Sequence, residues 1–155
     1  MKSFKIAGIA LLASMITIVA ATQADDKEEK VLTVKCPVAG KEIKIADAKT
    51  ASYKDAEVYL CCNGCKGKLE KDPAKYSTKA NHQLILTKQA KQVKCPLAGK
   101  PVNPAQHVKV AGIQVGFCCG NCKGKVAKAE GDDQLALVFS DAAFKKGFEV
   151  VKKEE

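Results

Sequence analysis

Apolar and polar positions along the chain mark out one early apolar run and then a series of short elements. Residues 6–21 are apolar apart from Gly8, Ser14 and Thr17; Lys2 and Lys5 precede them, and Thr22-Gln23-Ala24 and the charged Asp25-Asp26-Lys27-Glu28-Glu29 follow. A basic start, a short apolar stretch and a small-residue site predict a secretory signal peptide over 1–24, cleaved near Ala24. A spanning anchor takes about 20 apolar residues, more than this run supplies. No later stretch reaches that length, so stable membrane insertion is not expected after cleavage. Beyond a charged linker over 25–30, residues 31–35 and 42–45 alternate like short strands, and 57–60 form another that runs straight into Cys61. Residues 66–71 suit a helix, and Asp72-Pro73 reads as an N-cap with Pro in the first turn, opening a helix through Tyr76. The apolar run 83–87 predicts a strand. Further on, the pattern predicts strands over 108–110 and 113–117, a helix over about 121–130, a strand over 135–139 and a short helix over 141–148.

The pattern repeats. Lys35-Cys36-Pro37-Val38-Ala39-Gly40-Lys41 returns as Lys94-Cys95-Pro96-Leu97-Ala98-Gly99-Lys100, and Cys61-Cys62-Asn63-Gly64-Cys65-Lys66-Gly67-Lys68 returns as Cys118-Cys119-Gly120-Asn121-Cys122-Lys123-Gly124-Lys125. Two separated blocks recurring in order predict a duplicated unit. The units span 31–90 and 91–148, with 149–155 as a flexible tail. In the first block Pro fixes φ and Gly supplies a positive-φ position, so Cys36 and Cys95 fall on tight turns. Units of roughly 60 residues bury too little surface to be robust on hydrophobic contacts alone, and folds of that size commonly recruit metals or disulfides.

Composition narrows the partners. The 155 residues carry a net charge of +9, all 26 basic residues are lysine, tryptophan is absent and only 5% of residues are aromatic. Without arginine the commonest specific base contact is missing, and without aromatics so are the stacking platforms of single-strand binders. Nucleic acid is therefore not the expected partner. The Gly-Lys pairs never extend to a phosphate-binding Gly-x-x-x-x-Gly-Lys-Ser/Thr loop. No nucleophile–base pair of the Ser-His-Asp or Cys-His kind stands out, so no enzyme activity is expected. His82 and His107, the two histidines, have no counterparts in the other unit and read as solvent-facing.

The chemistry points to the eight cysteines. Each unit places one on a turn (Cys36, Cys95) and three where a strand turns into a helix (Cys61, Cys62, Cys65 and Cys118, Cys119, Cys122). A soft or borderline metal needs three or four convergent sulfur or imidazole donors. A Cys-x-x-Cys turn brings two thiols together and a distant loop cysteine completes the set. The adjacent helix N-terminus favours the thiolates of Cys62 and Cys65, with Lys66 and Lys68 reinforcing it. Two other uses remain open from the residues alone. Four structural disulfides would suit an exported, disulfide-stabilised scaffold or interaction protein, although eight cysteines allow 105 pairings. A strand–Cys-x-x-Cys–helix is also the placement used by thiol–disulfide oxidoreductases.

At Cys36-Pro37-Val38-Ala39-Gly40, Tyr59-Leu60-Cys61-Cys62-Asn63-Gly64-Cys65-Lys66 and Asp72-Pro73-Ala74-Lys75-Tyr76 the unit resembles the YHS/TRASH family of metal-binding domains. The resemblance covers most of 33–80 and of 92–130. It implies an α+β fold of two tandem, small, treble-clef-like or zinc-ribbon-like modules. It also implies a thiophilic ion on Cys36, Cys61 and Cys65 and another on Cys95, Cys118 and Cys122. Two departures stand out. Many members carry a cysteine just before the turn glycine, where this chain has Ala39 and Ala98, and the second unit lacks the Asp-Pro-x-x-Tyr segment. Cys62 and Cys119 stand as possible replacements for that turn ligand, and zinc-knuckle spacing favours Cys62 with Cys65 where the family pattern favours Cys61 with Cys65. The reading reached is an exported, periplasmic or extracellular protein that binds about one zinc or copper(I) ion per module.

Overall fold

The computed structural model describes residues 33–151. The signal peptide and linker read into 1–30, and 152–155 of the tail, lie outside the described residues.

The fold is mixed α+β, with four separate two-stranded antiparallel sheets and five α-helices among the described residues. β1 (Thr33–Lys35) pairs with β2 (Glu42–Lys44) around the Cys36 turn, and β3 (Lys49–Tyr53) pairs with β4 (Ala56–Leu60). Two helices follow, α1 (Asn63–Lys71) and α2 (Pro73–Leu86). The second half runs β5 (Ala90–Gln92), β6 (Asn103–Val110), β7 (Ile113–Phe117), α3 (Gly120–Ala127), α4 (Gly131–Phe139), α5 (Asp141–Gly147) and β8 (Phe148–Val150). The hairpins β3–β4 and β6–β7 close through two-residue turns with both φ angles positive, Lys54 (52°) and Asp55 (60°) in one, Ala111 (43°) and Gly112 (89°) in the other. That geometry matches the right-handed twist of paired strands.

Two expected strands are helical. Residues 83–86 finish α2 and Thr87 is its C-cap; the helix begins at an Asp72 side chain accepting from the Lys75 N–H at 3.2 Å. Ser77, Ala80, Asn81 and Leu84 are buried along one face of that helix, and the 3.6-residue period carries through the apolar end. Residues 135–139 belong to α4 for the same reason, with Val138 and Phe139 buried and Asp132 and Asp133 in the first turn complementing the helix dipole. Short apolar runs do not separate strand from helix by periodicity. The tail also differs from expectation over its first residues: Glu149 and Val150 lie in β8, which pairs with β5. The boundary drawn at 90/91 falls inside β5.

One core serves both halves. Val58, Leu60, Leu69, Ala80 and Leu84 from the first join Val110, Val115, Phe117, Val126, Val138, Phe139, Phe144 and Phe148 from the second in a single buried cluster, together with Cys36 and Cys95. Phe148 packs between Phe139 and Phe144, with ring centroids 5.7 and 5.4 Å away.

Candidate metal centres

Each thiol set is assembled by a turn, a hairpin and a helix start. Cys36 opens a turn closed by Gly40 N–H donating to the Cys36 carbonyl (2.8 Å) and Cys36 N–H to the Lys41 carbonyl (2.8 Å), with Gly40 at φ 70°. Cys95 repeats it: Gly99 N–H to the Cys95 carbonyl is 2.7 Å, Cys95 N–H to the Lys100 carbonyl 2.9 Å, and Gly99 has φ 66°. A side chain would strain both glycine positions. β4 delivers Cys61 and α1 delivers Cys65, while β7 and α3 deliver Cys118 and Cys122. The helices begin at Cys62 and Cys119, whose backbones are extended (φ −163° and −158°).

The sulfurs converge in two trios. The Sγ atoms of Cys36, Cys61 and Cys65 lie within 4.8 Å of one another, and so do those of Cys95, Cys118 and Cys122. Cys61 and Cys65 are 3.5 Å apart and Cys118 and Cys122 3.8 Å, well beyond the S–S bond of about 2.05 Å. All eight cysteines are free thiols. Cys62 and Cys119 are exposed at the rim, with Sγ 3.9 Å from Cys61 and 3.8 Å from Cys118. The member of the adjacent pair that joins each trio is thus the first, Cys61 or Cys118.

The thiols of a set differ in acidity. Burial works to raise Cys36, but the main-chain amides of Ala39, Cys61 and Val38 outweigh it and lower its pKa; Cys95 is lowered in the same way against its own burial, by Cys118, Ala98 and Leu97. Burial pushes Cys65 and Cys122 up to about 12, and neighbouring thiols add to the shift. The hydrogen bond with Cys65 favours the Cys61 thiolate, but burial and the Cys36 sulfur overcome it, leaving Cys61 raised. Cys118 is raised as well, by burial first. At the rim, the amides of Cys65 and Cys122 lower Cys62 and Cys119 without closing a capping hydrogen bond. The helix start therefore acidifies Cys62 as expected, whereas burial reverses the expectation for Cys65. Lys66 turns toward Glu70, 3.9 Å away, and the thiol shifts trace to burial, amides and neighbouring sulfurs instead.

Three soft donors within one ion's reach fit a thiophilic cation. Sulfurs at about 2.3 Å from a shared ion stand about 3.8–4.0 Å apart, close to the 3.5 and 3.8 Å of the Cys61–Cys65 and Cys118–Cys122 pairs, with each turn sulfur within 4.8 Å of both. A trio also leaves a coordination position free, with Cys62 or Cys119 beside it.

Neither histidine joins a trio, although His82 and Cys36 line one cavity. His107 is exposed, as expected, with Nδ1 3.1 Å from the Pro104 carbonyl. His82 is half-buried rather than solvent-facing: its ring packs edge-on against Phe139 at 5.1 Å and Nε2 lies 3.0 Å from the Ala111 carbonyl. Sequence reasoning passed over Gln83 and Gln92, whose amides touch the main chain of both ligand-bearing segments. Neither stands within a cysteine motif, and they do not occupy corresponding places in the two halves, so no pattern singled them out.

Comparison of the chain with protein-family models, curated proteins and solved structures gave no match. What fold and site define together is a class: an α+β protein with two thiol trios, each placed to hold a metal ion. Among the described residues no helix is long and apolar enough to cross a membrane.

Proposed function

We propose that the chain is an exported, non-enzymatic binder of a thiophilic ion, zinc or copper(I), taking one ion in each half as a carrier or buffer. The observation that supports this most directly is the convergence of Cys36, Cys61 and Cys65, and of Cys95, Cys118 and Cys122, each set within 4.8 Å. Thiolates select soft ions, and copper(I) accepts two or three sulfurs, while zinc completes a tetrahedron with a fourth donor. The rim thiols Cys62 and Cys119 stand beside that fourth position. Turn amides that favour the Cys36 and Cys95 thiolates supply the first anionic ligand, and the cation's charge drives the protons from the two raised thiols. The lysine excess offsets the negative charge left on three thiolates and a divalent ion. The resemblance to YHS/TRASH domains agrees with the same trios.

A carrier is favoured over a metal-dependent scaffold because one apolar cluster spanning both halves holds the fold together. Stripping the metal should then empty the sites and leave the helical circular dichroism in place, whereas a scaffold would unfold. The direct test is titration of the reduced chain with cobalt(II), followed by thiolate-to-metal charge-transfer absorbance. Saturation is expected at two equivalents, and at one in Cys65→Ser or Cys122→Ser. Absence of any cobalt(II) charge-transfer band, together with no uptake of copper(I) under reducing conditions, would overturn the proposal.

A second reading has one observation in its favour. Cys62 and Cys119 are exposed thiols favoured as thiolates, each three residues before a thiol raised to about 12 by burial, an arrangement suited to thiol–disulfide exchange. That reading expects disulfide reductase activity that survives chelation, and the carrier reading expects none.

A further inference from the structure

The turn cysteine and the hairpin cysteine of each trio come from chain segments that share no sheet. Cys36 follows β1 and Cys61 follows β4, and β1–β2 and β3–β4 are separate sheets. Besides the Cys61 amide that faces the Cys36 sulfur, one glutamine side chain bridges their main chains. Gln83, almost fully buried in α2, accepts from the Tyr59 N–H at 2.6 Å through Oε1 and donates from Nε2 to the Tyr59 carbonyl (2.9 Å) and the Lys35 carbonyl (3.1 Å). Tyr59 lies two residues before Cys61, and Lys35 immediately before Cys36.

The second half carries the same bracket from a different place. Gln92 of β5 accepts from the Gly116 N–H at 2.9 Å and donates to the Gly116 carbonyl (2.7 Å) and the Lys94 carbonyl (2.9 Å). Gly116 lies two residues before Cys118, and Lys94 immediately before Cys95. The six contacts correspond one to one, yet the glutamines do not. At the spacing between the halves, Gln83 falls opposite Ser140, too short for this reach, and Gln92 falls opposite Thr33.

A general need for edge-strand pairing does not account for the match. Gln89 also clamps a β4 residue, accepting from the Glu57 N–H and donating to its carbonyl, both at 2.8 Å, but it makes no bond to a ligand-bearing turn. Among the described residues, only Gln83 and Gln92 add the third bond, to the carbonyl preceding the turn cysteine. That bond ties together two ligand-bearing segments that belong to separate sheets.

We propose that Gln83 and Gln92 are the positioning residues of the two metal centres, each fixing with one amide the distance between the turn cysteine and the hairpin cysteine of its trio. The proposal rests on the metal-binding reading above. Groups that orient ligands without touching the metal change affinity by about 10–100-fold when removed. Loss of the bracket should therefore weaken its own centre by that factor and spare the other.

The test is zinc affinity by competition with a chromophoric chelator on the reduced full-length chain. The first centre is read in the Cys122→Ser background and the second in the Cys65→Ser background. Gln83→Met keeps the side chain's bulk and removes all three bonds. Gln83→Asn keeps the amide's polarity but is one methylene too short to make all three bonds, so it remains informative if the methionine variant folds poorly. Gln92→Met, at a half-buried position, is the counterpart. Leu84→Ala, in the same helix and fully buried, controls for stability alone. Gln83 variants are expected to weaken the first centre by about 10–100-fold and leave the second unchanged, with Gln92→Met doing the reverse. Their cobalt(II) spectra should shift, and the Tyr59 or Gly116 amide should exchange faster in the metal-free chain. Unchanged affinities in folded variants would overturn the proposal. So would an equal loss in Leu84→Ala at a matched drop in thermal midpoint. A parent chain that takes up neither zinc nor copper(I) at either centre would instead overturn the metal-binding reading itself.

Discussion

Cys62 and Cys65 are three residues apart and their thiols have opposed surroundings. Cys62 is exposed with its thiolate favoured, and Cys65 is buried with its thiol pushed up to about 12. Alkylation requires both access and the thiolate. A brief pulse of iodoacetamide on the reduced, metal-free chain should therefore label Cys62 and Cys119 first. Cys65 and Cys122 should follow slowly, and the fully buried Cys36 and Cys95 should come last. Peptide mapping by mass spectrometry reads the order, and labelling of Cys65 as fast as Cys62 would contradict the placement. Cys62→Ser and Cys119→Ser should keep both ions, since the trios remain. A chain that loses an ion in either variant would make the rim thiol an obligatory ligand.

Among the elements, two glycines make opposite predictions. Gly147 ends α5 against the second turn, and a Cβ there would meet Pro96 Cα at 2.7 Å, Pro96 N at 2.9 Å and the Lys94 carbonyl at 3.0 Å. The Gly147 carbonyl also accepts from the Val93 and Lys94 N–H groups at 2.8 and 3.1 Å. Backbone cannot give way as a flexible side chain can, so Gly147→Ala should destabilise by about 1–3 kcal/mol, the usual cost of overpacking. Gly67, within α1, has nothing within 4 Å of the place a Cβ would take. Gly67→Ala should stabilise by about 0.5–1 kcal/mol through helix propensity. Urea midpoints measure both, and a neutral Gly147→Ala would contradict the tight contact. Much at this scale was legible in the sequence. The Cys-Pro-x-Ala-Gly turns, the strands entering Cys61 and Cys118, the helices after Cys62 and Cys119, and the Asp72-Pro73 start all carry local chemistry that fixes the backbone. The helical ends of α2 and α4 were not legible, because Leu84-Ile85-Leu86 and Leu135–Phe139 owe their state to which face the core covers. β3 lay outside every expected strand, and β5 and β8 were missed because each is three residues long and exists only through its distant partner.

Across the whole molecule the halves join through a polar knot as well as the shared core. Lys54, in the turn of the first hairpin, donates to Asp141 at the start of α5 and to Asn81 of α2, whose own Nδ2 donates to the Phe139 carbonyl (2.8 Å) and to Asp141 (3.0 Å). Tyr53 donates to Asp141 from 3.4 Å, and burial first, then the carboxylate, raises its pKa. Burial works to raise Asp141, but bonds from Lys54, Asn81 and Tyr53 hold it below its ordinary value of 3.8. As pH falls the unfolded chain takes up this proton first. The stability contributed by Asp141 is thus present above pH 3.8 and is lost as pH falls through the lower folded value. Asp141→Asn should flatten the loss of the urea midpoint below pH 3.8, and an unaltered slope would contradict the knot. The two thiol trios were foreshadowed by the repeated cysteine blocks, but this joining of the halves was not, since Lys54, Asn81 and Asp141 belong to no motif. The central claim is that the chain holds two metal ions on six sulfurs. Native mass spectrometry of anaerobically purified protein, paired with a count of free thiols, tests it most directly. Two zinc or copper ions per chain, with eight reactive thiols after metal removal, is the predicted result; a metal-free chain with four disulfides and no free thiol would contradict it.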